Sequence, residues 1–193
     1  KQKWRSEVTT NASVLTADQK KRLAQVKVLH KGAGKHGLKD ACVMQAVDWV
    51  YRNKDHFTDT PACTSRVLGK FAIRLNDARW PTDKDRTNAL RPLIPLLINT
   101  VASKVVEQKR MFFFADFAVR EAAPYWFDVA FKRTKKKGYR DWATKLRALP
   151  PIVDKKSAEI GRSAARSDAY AAYAAYAAYA ADAADAAYAA AAY

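Results

Sequence analysis

The chain has 193 residues, with 35 basic and 19 acidic residues and a formal net charge of +16. This length allows one domain, or one domain with an appendage. The six Gly, seven Pro and two Cys exclude collagen-like, generally disordered and disulfide-dense proteins. No run of about 18 strongly apolar residues is present, so we expect no membrane-spanning helix. No apolar segment follows the basic N-terminus, so we expect no signal peptide.

Helical patterns with short interruptions follow one another through the first half of the chain. A capping box at Thr16 and Gln19 predicts a helix that runs as far as the glycines at 32–37. A second helix is expected over 38–51, where residues with the spacing of a buried face are Val43, Ala46, Val47 and Val50. Pro61 indicates a third helix that begins at Asp59 and ends near Asn76 and Asp77, and another segment should begin at Thr82 or Asp83.

Prolines divide the next part of the chain. Pro92 and Pro95 interrupt an apolar run, so we expect a break and a new helix start between them. A long helix is predicted over 104–122, and Pro124 is expected to end it. Its core candidates are Val105, Met111, Phe112, Ala115 and Val119.

Three shorter segments complete the helical prediction. An aromatic helix is expected over 125–133, and Gly138 should separate it from a helix over 139–149. Pro150-Pro151 predicts a boundary, after which Ser157 is expected to cap a last helix. No stretch alternates apolar and polar residues, so the sequence predicts an all-α fold.

The strongest chemical signal is the basic segment 132–147, which contains one acidic residue, Asp141. Basic side chains form salt-sensitive contacts with phosphates, and aromatic rings between them can stack on bases. The segment therefore predicts binding of nucleic acid or another polyanion, although Trp142 could instead belong to the core. A solvated basic surface and an acidic protein or membrane-surface partner are the alternatives. The candidate contacts are Lys132, Arg133, Lys135, Lys136, Lys137, Arg140, Trp142, Lys145 and Arg147.

One glycine-rich loop, at 30–37, could also contact phosphate. Its glycines match the dinucleotide-binding fingerprint by letter, but a helix rather than a strand is predicted before it. Lys31 and Lys35, together with the backbone amides of the loop, are instead candidates for holding a phosphate of nucleic acid. A plain solvated loop is the alternative.

Metal and catalytic chemistry have little support in the sequence. His36, Cys42, His56 and Cys63 lack the short-paired spacing of zinc ligands. We therefore expect no metal or cofactor and name no catalytic residue, with an enzyme or metal site around Cys42 and Cys63 as a further alternative. The two cysteines are expected to be buried free thiols in a reducing cytoplasm, with a disulfide between them as the alternative.

The C-terminal tract 168–193 consists of 17 Ala, 6 Tyr and 3 Asp. Because alanine has the highest helix propensity, we expect one long helix. Tyrosines three residues apart fall roughly 60° behind one another and therefore spiral around that helix. This pattern predicts assembly with a protein partner or a second copy, or alternatively a spacer helix. The contact residues would be Tyr170, Tyr173, Tyr176, Tyr179 and Tyr188.

Six short motifs lie between residues 30 and 155. They are Cys-Val-Met-Gln-Ala-Val at 42–47, Asp-Thr-Pro-Ala-Cys at 59–63, Leu-Asn-Asp at 75–77, Leu-Arg-Pro-Leu-Ile-Pro at 90–95, Ala-Val-Arg-Glu-Ala-Ala-Pro at 118–124 and Leu-Pro-Pro-Ile at 149–152. With these motifs and its Ala-rich tail, the chain resembles an uncharacterised helical family found in bacteria and their phages. That family usually has Glu at the position of Gln45 and often His at that of Thr60.

The resemblance implies an intracellular protein of bacterial or phage origin, without implying an activity. It also implies that five residues gather in one place, as a structural knot or a site: Cys42, Asp59, Cys63, Asn76 and Asp77.

Together, these patterns predict a compact basic helical domain over 1–151, a linker or helix start over 152–167, and an Ala/Tyr helix over 168–193. The leading hypothesis is a non-catalytic protein whose helical domain contacts nucleic acid or a ribonucleoprotein and whose C-terminal helix mediates assembly. The alternative is a structural or virion-associated protein that acts mainly through protein–protein contacts of that helix. We expect a cytoplasmic or virion location and no membrane partner.

Overall fold

The computed structural model describes residues 15–52 and 57–172, the last six of them by their backbone alone. Within these ranges the protein is helical and contains no strand, which confirms the predicted all-α class. The chain divides into two compact units, Lys1–Ala102 and Ser103–Tyr193. The domain expected over 1–151 therefore comprises the first unit and part of the second.

In the first unit, five described α-helices surround an apolar core. They are α1 (Ala17–Gln25), α2 (Val43–Arg52), α3 (Arg66–Asp77), α4 (Asp83–Leu90) and α5 (Ile94–Leu97). Helix α2 packs against α1, α3 and α5. The apolar row predicted for α2 is fully buried, as Val43, Ala46, Val47 and Val50 each have 0% exposure.

Side-chain caps fix several of these helix starts. The predicted capping box is present, because Thr16 Oγ1 accepts from the Gln19 N–H at 3.2 Å and Gln19 Oε1 accepts from the Thr16 N–H at 3.0 Å. Thr82 caps α4 by accepting from the Asp85 N–H at 3.1 Å through its hydroxyl oxygen. Ser65 caps α3 through the Leu68 N–H. Because Ser65 makes this bond, α3 begins at Arg66 and the prediction of a helix start at Asp59 is wrong.

The first two helices are shorter than predicted, because the chain between them bonds to other segments. Helix α1 ends at Gln25 rather than at the glycines. Beyond it, the Leu29 N–H donates to Thr87 Oγ1 at 2.8 Å, and the His30 N–H donates to the Ala41 carbonyl at 3.0 Å. Helix α2 begins at Val43 rather than 38, after a single 3₁₀ turn over Gly37–Lys39.

Around the prolines of the first unit, the expected break is present. A 3₁₀ turn over Arg91–Leu93 contains Pro92, and α5 follows with Pro95 near its first position. A proline at the start of a helix leaves no intrahelical hydrogen bond unmade, because its first amides have no partner.

The second unit contains four described α-helices. They are α6 (Lys104–Phe117), α7 (Ala123–Thr134), α8 (Lys137–Ala148) and α9 (Lys155–Ala172), with a π-helical segment, Ala118–Ala122, between α6 and α7. Of the core candidates of α6 and this segment, Met111, Ala115 and Val119 are buried, whereas Val105 is 60% exposed.

Pro124 does not end the long helix as predicted. The π-helical segment carries the chain into α7, and the Ala123 N–H bonds five residues back to the Ala118 carbonyl. A proline within an α-helix removes one hydrogen bond and clashes with the carbonyl four residues earlier. The wider π turn before Pro124 coincides with this position, so the helix continues through the proline.

Two further helix ends differ from the prediction. Helix α7 ends at Thr134 and is followed by Lys135, which adopts a left-handed conformation with φ 58°, and Gly138 lies in the first turn of α8. Asp154, rather than Ser157, caps α9: its Oδ1 accepts from the Ser157 N–H at 2.7 Å. Ser157 Oγ completes the box by accepting from the Asp154 N–H at 3.0 Å.

Helix α9 begins at Lys155, within the segment 152–167 for which the sequence predicted a linker or a helix start, and packs against α6 and α8. Ile152, Ala158 and Ala165 are buried. A Cβ at Gly161 would lie only 2.6 Å from Ile152 Cδ1, so glycine allows this close packing. No helix among the described residues is long and apolar enough to cross a membrane.

Candidate nucleic-acid interface

Helices α7 and α8 form a hairpin that is held together by aromatic side chains. The Phe127 ring lies 6.2 Å from that of Tyr139 and 5.7 Å from that of Trp142, measured between centroids, and Tyr139 and Trp142 lie 5.5 Å apart. Ala143 and Leu146 of α8 are buried beside them. These contacts fix the hairpin and determine which residues remain on its outside.

The structure places all eight predicted basic residues of the hairpin at its surface. Each is exposed: Lys132, Arg133, Lys135, Lys136, Lys137, Arg140, Lys145 and Arg147. Between 123 and 149 the chain has only two acidic residues, Asp128 and Asp141. We call this surface, defined by the eight basic residues, the basic hairpin surface.

Two arginines of α8 reach back to α7. Arg147 Nη2 lies 2.5 Å from Asp128 Oδ2, and the Arg140 guanidinium lies 5.7 Å from the centre of the Phe131 ring. The Asp128–Arg147 pair is about half exposed, so it adds little stability in water. It does, however, place Arg147 next to the outer face of α7.

Trp142 does not share the exposure of the basic residues. It is half-buried in the aromatic cluster, and a Cβ at Gly138 would lie 3.5–3.8 Å from its ring. Its ring therefore contributes to the packing of the hairpin, which is the core role that the sequence left open. A contact of Trp142 with nucleic acid stays a prediction.

Four backbone amides of the glycine loop at 30–37 donate hydrogen bonds to side chains of the protein itself. Gly32 N–H donates to Asp77 Oδ1 at 2.8 Å, and Gly34 N–H donates to Gln45 Oε1 at 2.9 Å. The next two amides, of Lys35 and His36, donate to the carboxylate of Asp40 at 3.0 and 2.9 Å. A phosphate would have to displace these acceptors.

The Asp40 carboxylate takes the place in this loop that an external anion would need. The amides of Lys35 and His36, assisted by the His36 side chain, lower the pKa of Asp40 from 3.8 to about 2. The side chains of Lys31 and Lys35 remain exposed. Their contact with phosphate stays a prediction, without the contribution that we expected from the backbone amides.

A second polar cluster lies in the core of the first unit around Asn76, which has 0% exposure. Its Oδ1 accepts from the Val43 N–H at 3.0 Å, and its Nδ2 donates to the His30 carbonyl at 2.8 Å and to Asp77 Oδ1 at 3.1 Å. Arg86 Nε donates to the Asn76 carbonyl at 2.8 Å. Asn76 therefore connects the end of α3 to the start of α2 and to the loop at His30.

Gln45 plays a similar part at the start of α2. Its Oε1 accepts from the Gly34 and Cys42 amides at 2.9 and 3.0 Å, and its Nε2 donates to the Gly34 carbonyl at 2.8 Å. A glutamate, which the resemblance would place here, could not make the last bond. The hydrogen bonds at the start of α2 therefore explain why this chain has a glutamine at position 45.

Of the five residues that the resemblance gathers, Asn76 and Asp77 are hydrogen-bonded to each other. Burial raises the pKa of the Cys42 thiol, and the charges of Asp59 and Asp77 act in the same direction. Cys42 and Cys63 are both free and buried, which confirms free thiols rather than a disulfide. Among the described residues, no group of three or more His, Cys, Asp or Glu is placed to hold a metal ion.

Most of the predicted contact residues of the C-terminal tract lie outside the described part of the chain. Tyr170 lies within the backbone of α9, whereas Tyr173, Tyr176, Tyr179 and Tyr188 lie outside the described residues. The helix predicted over 168–193 is therefore observed as far as Ala172, and the rest of the predicted helix lies outside the described residues.

Comparison of the chain with protein-family models, with curated proteins and with solved structures finds no match. The resemblance to a bacterial and phage family therefore stays a prediction.

Proposed function

We propose that the protein is a non-catalytic nucleic-acid-binding protein that contacts phosphates through the basic hairpin surface. The observation that carries this proposal is the exposure of eight basic side chains on a hairpin of two packed helices and their turn, which together hold only two acidic residues. Such a surface attracts a polyanion and releases counterions when it binds one. The hairpin packs through its aromatic cluster, so these charges are held on a folded support.

The turn between α7 and α8 also supports phosphate binding. Lys135 occupies a left-handed position, where glycine is favoured and another residue costs roughly 1 kcal/mol or more. Helix α8 then begins at Lys137, after Lys136, with no side-chain cap. Cations are unfavourable at a helix N-terminus, where the macrodipole favours anions. A bound phosphate would offset both the dipole and the crowded positive charge.

The proposal is tested with two variants of the full chain that lose the same charge. The first carries Lys132→Gln, Lys135→Gln and Lys136→Gln, and the control replaces three scattered exposed lysines, Lys70, Lys84 and Lys109. Binding of DNA and RNA oligonucleotides is measured by fluorescence anisotropy across a salt series. If three phosphate contacts are lost, the plot of log K against log salt becomes less steep, and the magnitude of its slope decreases by about 2 to 3.

The control variant should retain most of the wild-type affinity and slope. Equal losses in both variants would show that only net charge matters, and would overturn the assignment to the hairpin. Absent or salt-independent binding by the wild type would overturn the function itself.

For assembly, we propose that the tract 168–193 contacts a protein partner or a second copy. The alternative is a structural or virion-associated protein that acts mainly through protein–protein contacts of this tract, and exposed apolar residues along α6 offer a further surface for such contacts. Val106, Phe113 and Phe117 follow one another at helical spacing and are 39%, 66% and 46% exposed. Light scattering on the chain with and without 168–193 tests both the proposed assembly role of the tract and the alternative function. Self-association that depends on the tract, together with negligible nucleic-acid affinity, would favour the alternative.

A further inference from the structure

An exposed aromatic ring lies on α7 just before the basic segment. Tyr125, in the first turn of α7, is 59% exposed, and its ring meets that of Trp126 edge-on at 5.3 Å. The buried residues of α7 are Ala123, Pro124 and Phe127. Tyr125 therefore points away from the packed side of the hairpin.

The same outer face carries basic side chains. Seven residues at about 100° each bring Lys132 back to within about 20° of Tyr125, about 10 Å further along α7. Asp128 lies about one turn from Tyr125, and its carboxylate contacts Arg147 of α8 at 2.5 Å. Lys132 therefore lies on the same face of α7 as Tyr125, and Arg147 reaches the neighbouring part of that helix at Asp128.

Most other aromatic residues of the hairpin are engaged in its packing. Tyr139 and Trp142 pack against Phe127, and the Phe131 ring is faced by the Arg140 guanidinium. Trp126 is 42% exposed, which is less than Tyr125, and its ring meets that of Tyr125 edge-on. Tyr125 combines a largely exposed ring with a position on the helix that also carries Lys132. An exposed ring gains little from phosphates alone, but stacking on a base contributes about 1–3 kcal/mol.

We infer that the ligand of the basic hairpin surface is single-stranded nucleic acid, and that Tyr125 stacks on an unpaired base while Lys132 and Arg147 contact the flanking phosphates. This inference rests on the proposed function and narrows its substrate class. The bases of a duplex are paired and stacked on one another, so a ring on an exposed helix surface has no free base face to cover. A single strand offers base faces and phosphates together.

The test compares Tyr125→Ala and Tyr125→Phe with the wild-type chain. The ligands are a 20-nucleotide thymidine strand, a 20-nucleotide uridine strand, a 20-base-pair duplex and inorganic polyphosphate, which has charge but no bases. Phe113→Ala, which removes another exposed ring from α6, is the control. Circular dichroism of each variant verifies that the helices are intact.

Tyr125→Ala should weaken binding of the single strands about 5- to 150-fold, which corresponds to the energy of one stacked base. Polyphosphate binding should be unchanged, and Tyr125→Phe and Phe113→Ala should behave as the wild type. Unchanged single-strand affinity, or an equal loss for polyphosphate, would overturn the role of Tyr125. A wild type that prefers the duplex would overturn the substrate class and leave phosphate binding intact. A wild type that binds none of the four ligands would overturn the proposed function as well.

Discussion

Asn76 offers the sharpest test of how the first unit is held together. Replacing it by alanine removes three side-chain hydrogen bonds, at 3.0, 2.8 and 3.1 Å. The Val43 N–H and the His30 carbonyl then lose their partner inside the protein. Each buried polar group left without one costs about 1–3 kcal/mol, so Asn76→Ala should destabilise the unit by about 2–6 kcal/mol. Small domains have a total stability of about 5–15 kcal/mol.

Hydrogen exchange of the full chain, followed by mass spectrometry, measures this loss where it occurs. For a loss of about 4 kcal/mol, amides of α2 and α3 that exchange by opening of the unit should exchange about 1,000-fold faster. Asn88→Ala, at an exposed position of α4, is the matched control and should change stability by less than about 0.5 kcal/mol.

A second variant separates lost hydrogen bonds from lost volume. Asn76→Asp keeps the size of the side chain but places an oxygen where Nδ2 now donates to the His30 carbonyl and to Asp77. At neutral pH it should therefore destabilise the unit at least as much as a single lost bond, by about 1–3 kcal/mol. If both variants of Asn76 resembled Asn88→Ala, the buried amide would not join these segments energetically, and our reasoning would be refuted.

The remaining predictions concern the neighbouring loop and thiol. A Cβ at Gly34 would overlap the Asp40 carbonyl, so chemical denaturation should show a larger loss for Gly34→Ala than for Gly32→Ala, which has open space and only an unfavourable φ of 72°. Gln45→Glu should cost about 1–3 kcal/mol in the same assay, because an oxygen replaces the donor to a loop carbonyl; a neutral effect would contradict this. NMR titration should give Asp40 a pKa of about 2; since its folded pKa is depressed, its stabilising contribution should be complete above about pH 4 and disappear as the pH falls towards 2. Cys42, whose pKa burial raises, should react with iodoacetamide at neutral pH far more slowly in the native protein than in urea, and equal rates would argue against its burial.

The sequence by itself determined much of the local structure. The capping box at Thr16 and the cap at Thr82 were readable because their hydrogen bonds join residues three apart. The buried row of α2 followed from its apolar spacing, which needs no knowledge of the partner helices. The exposure of the basic residues of the hairpin was also foreseeable, because charged side chains are rarely buried.

Only the tertiary structure decided the features that depend on distant residues. Helix α1 stops at Gln25 while the following segment bonds to Thr87 and Ala41, far away in sequence. Amides of the glycine loop, which the local sequence predicts to be available to a phosphate, donate instead to Asp40, Gln45 and Asp77.

The hairpin shows the same division at the candidate interface. Its composition indicated phosphate binding, but packing determined that Trp142 joins the aromatic cluster and that Tyr125 remains outside. Local pattern thus specifies helices and charge, because those depend on near neighbours. Which polar groups are already bonded, and which rings stay exposed, depends on contacts between elements that no local pattern contains.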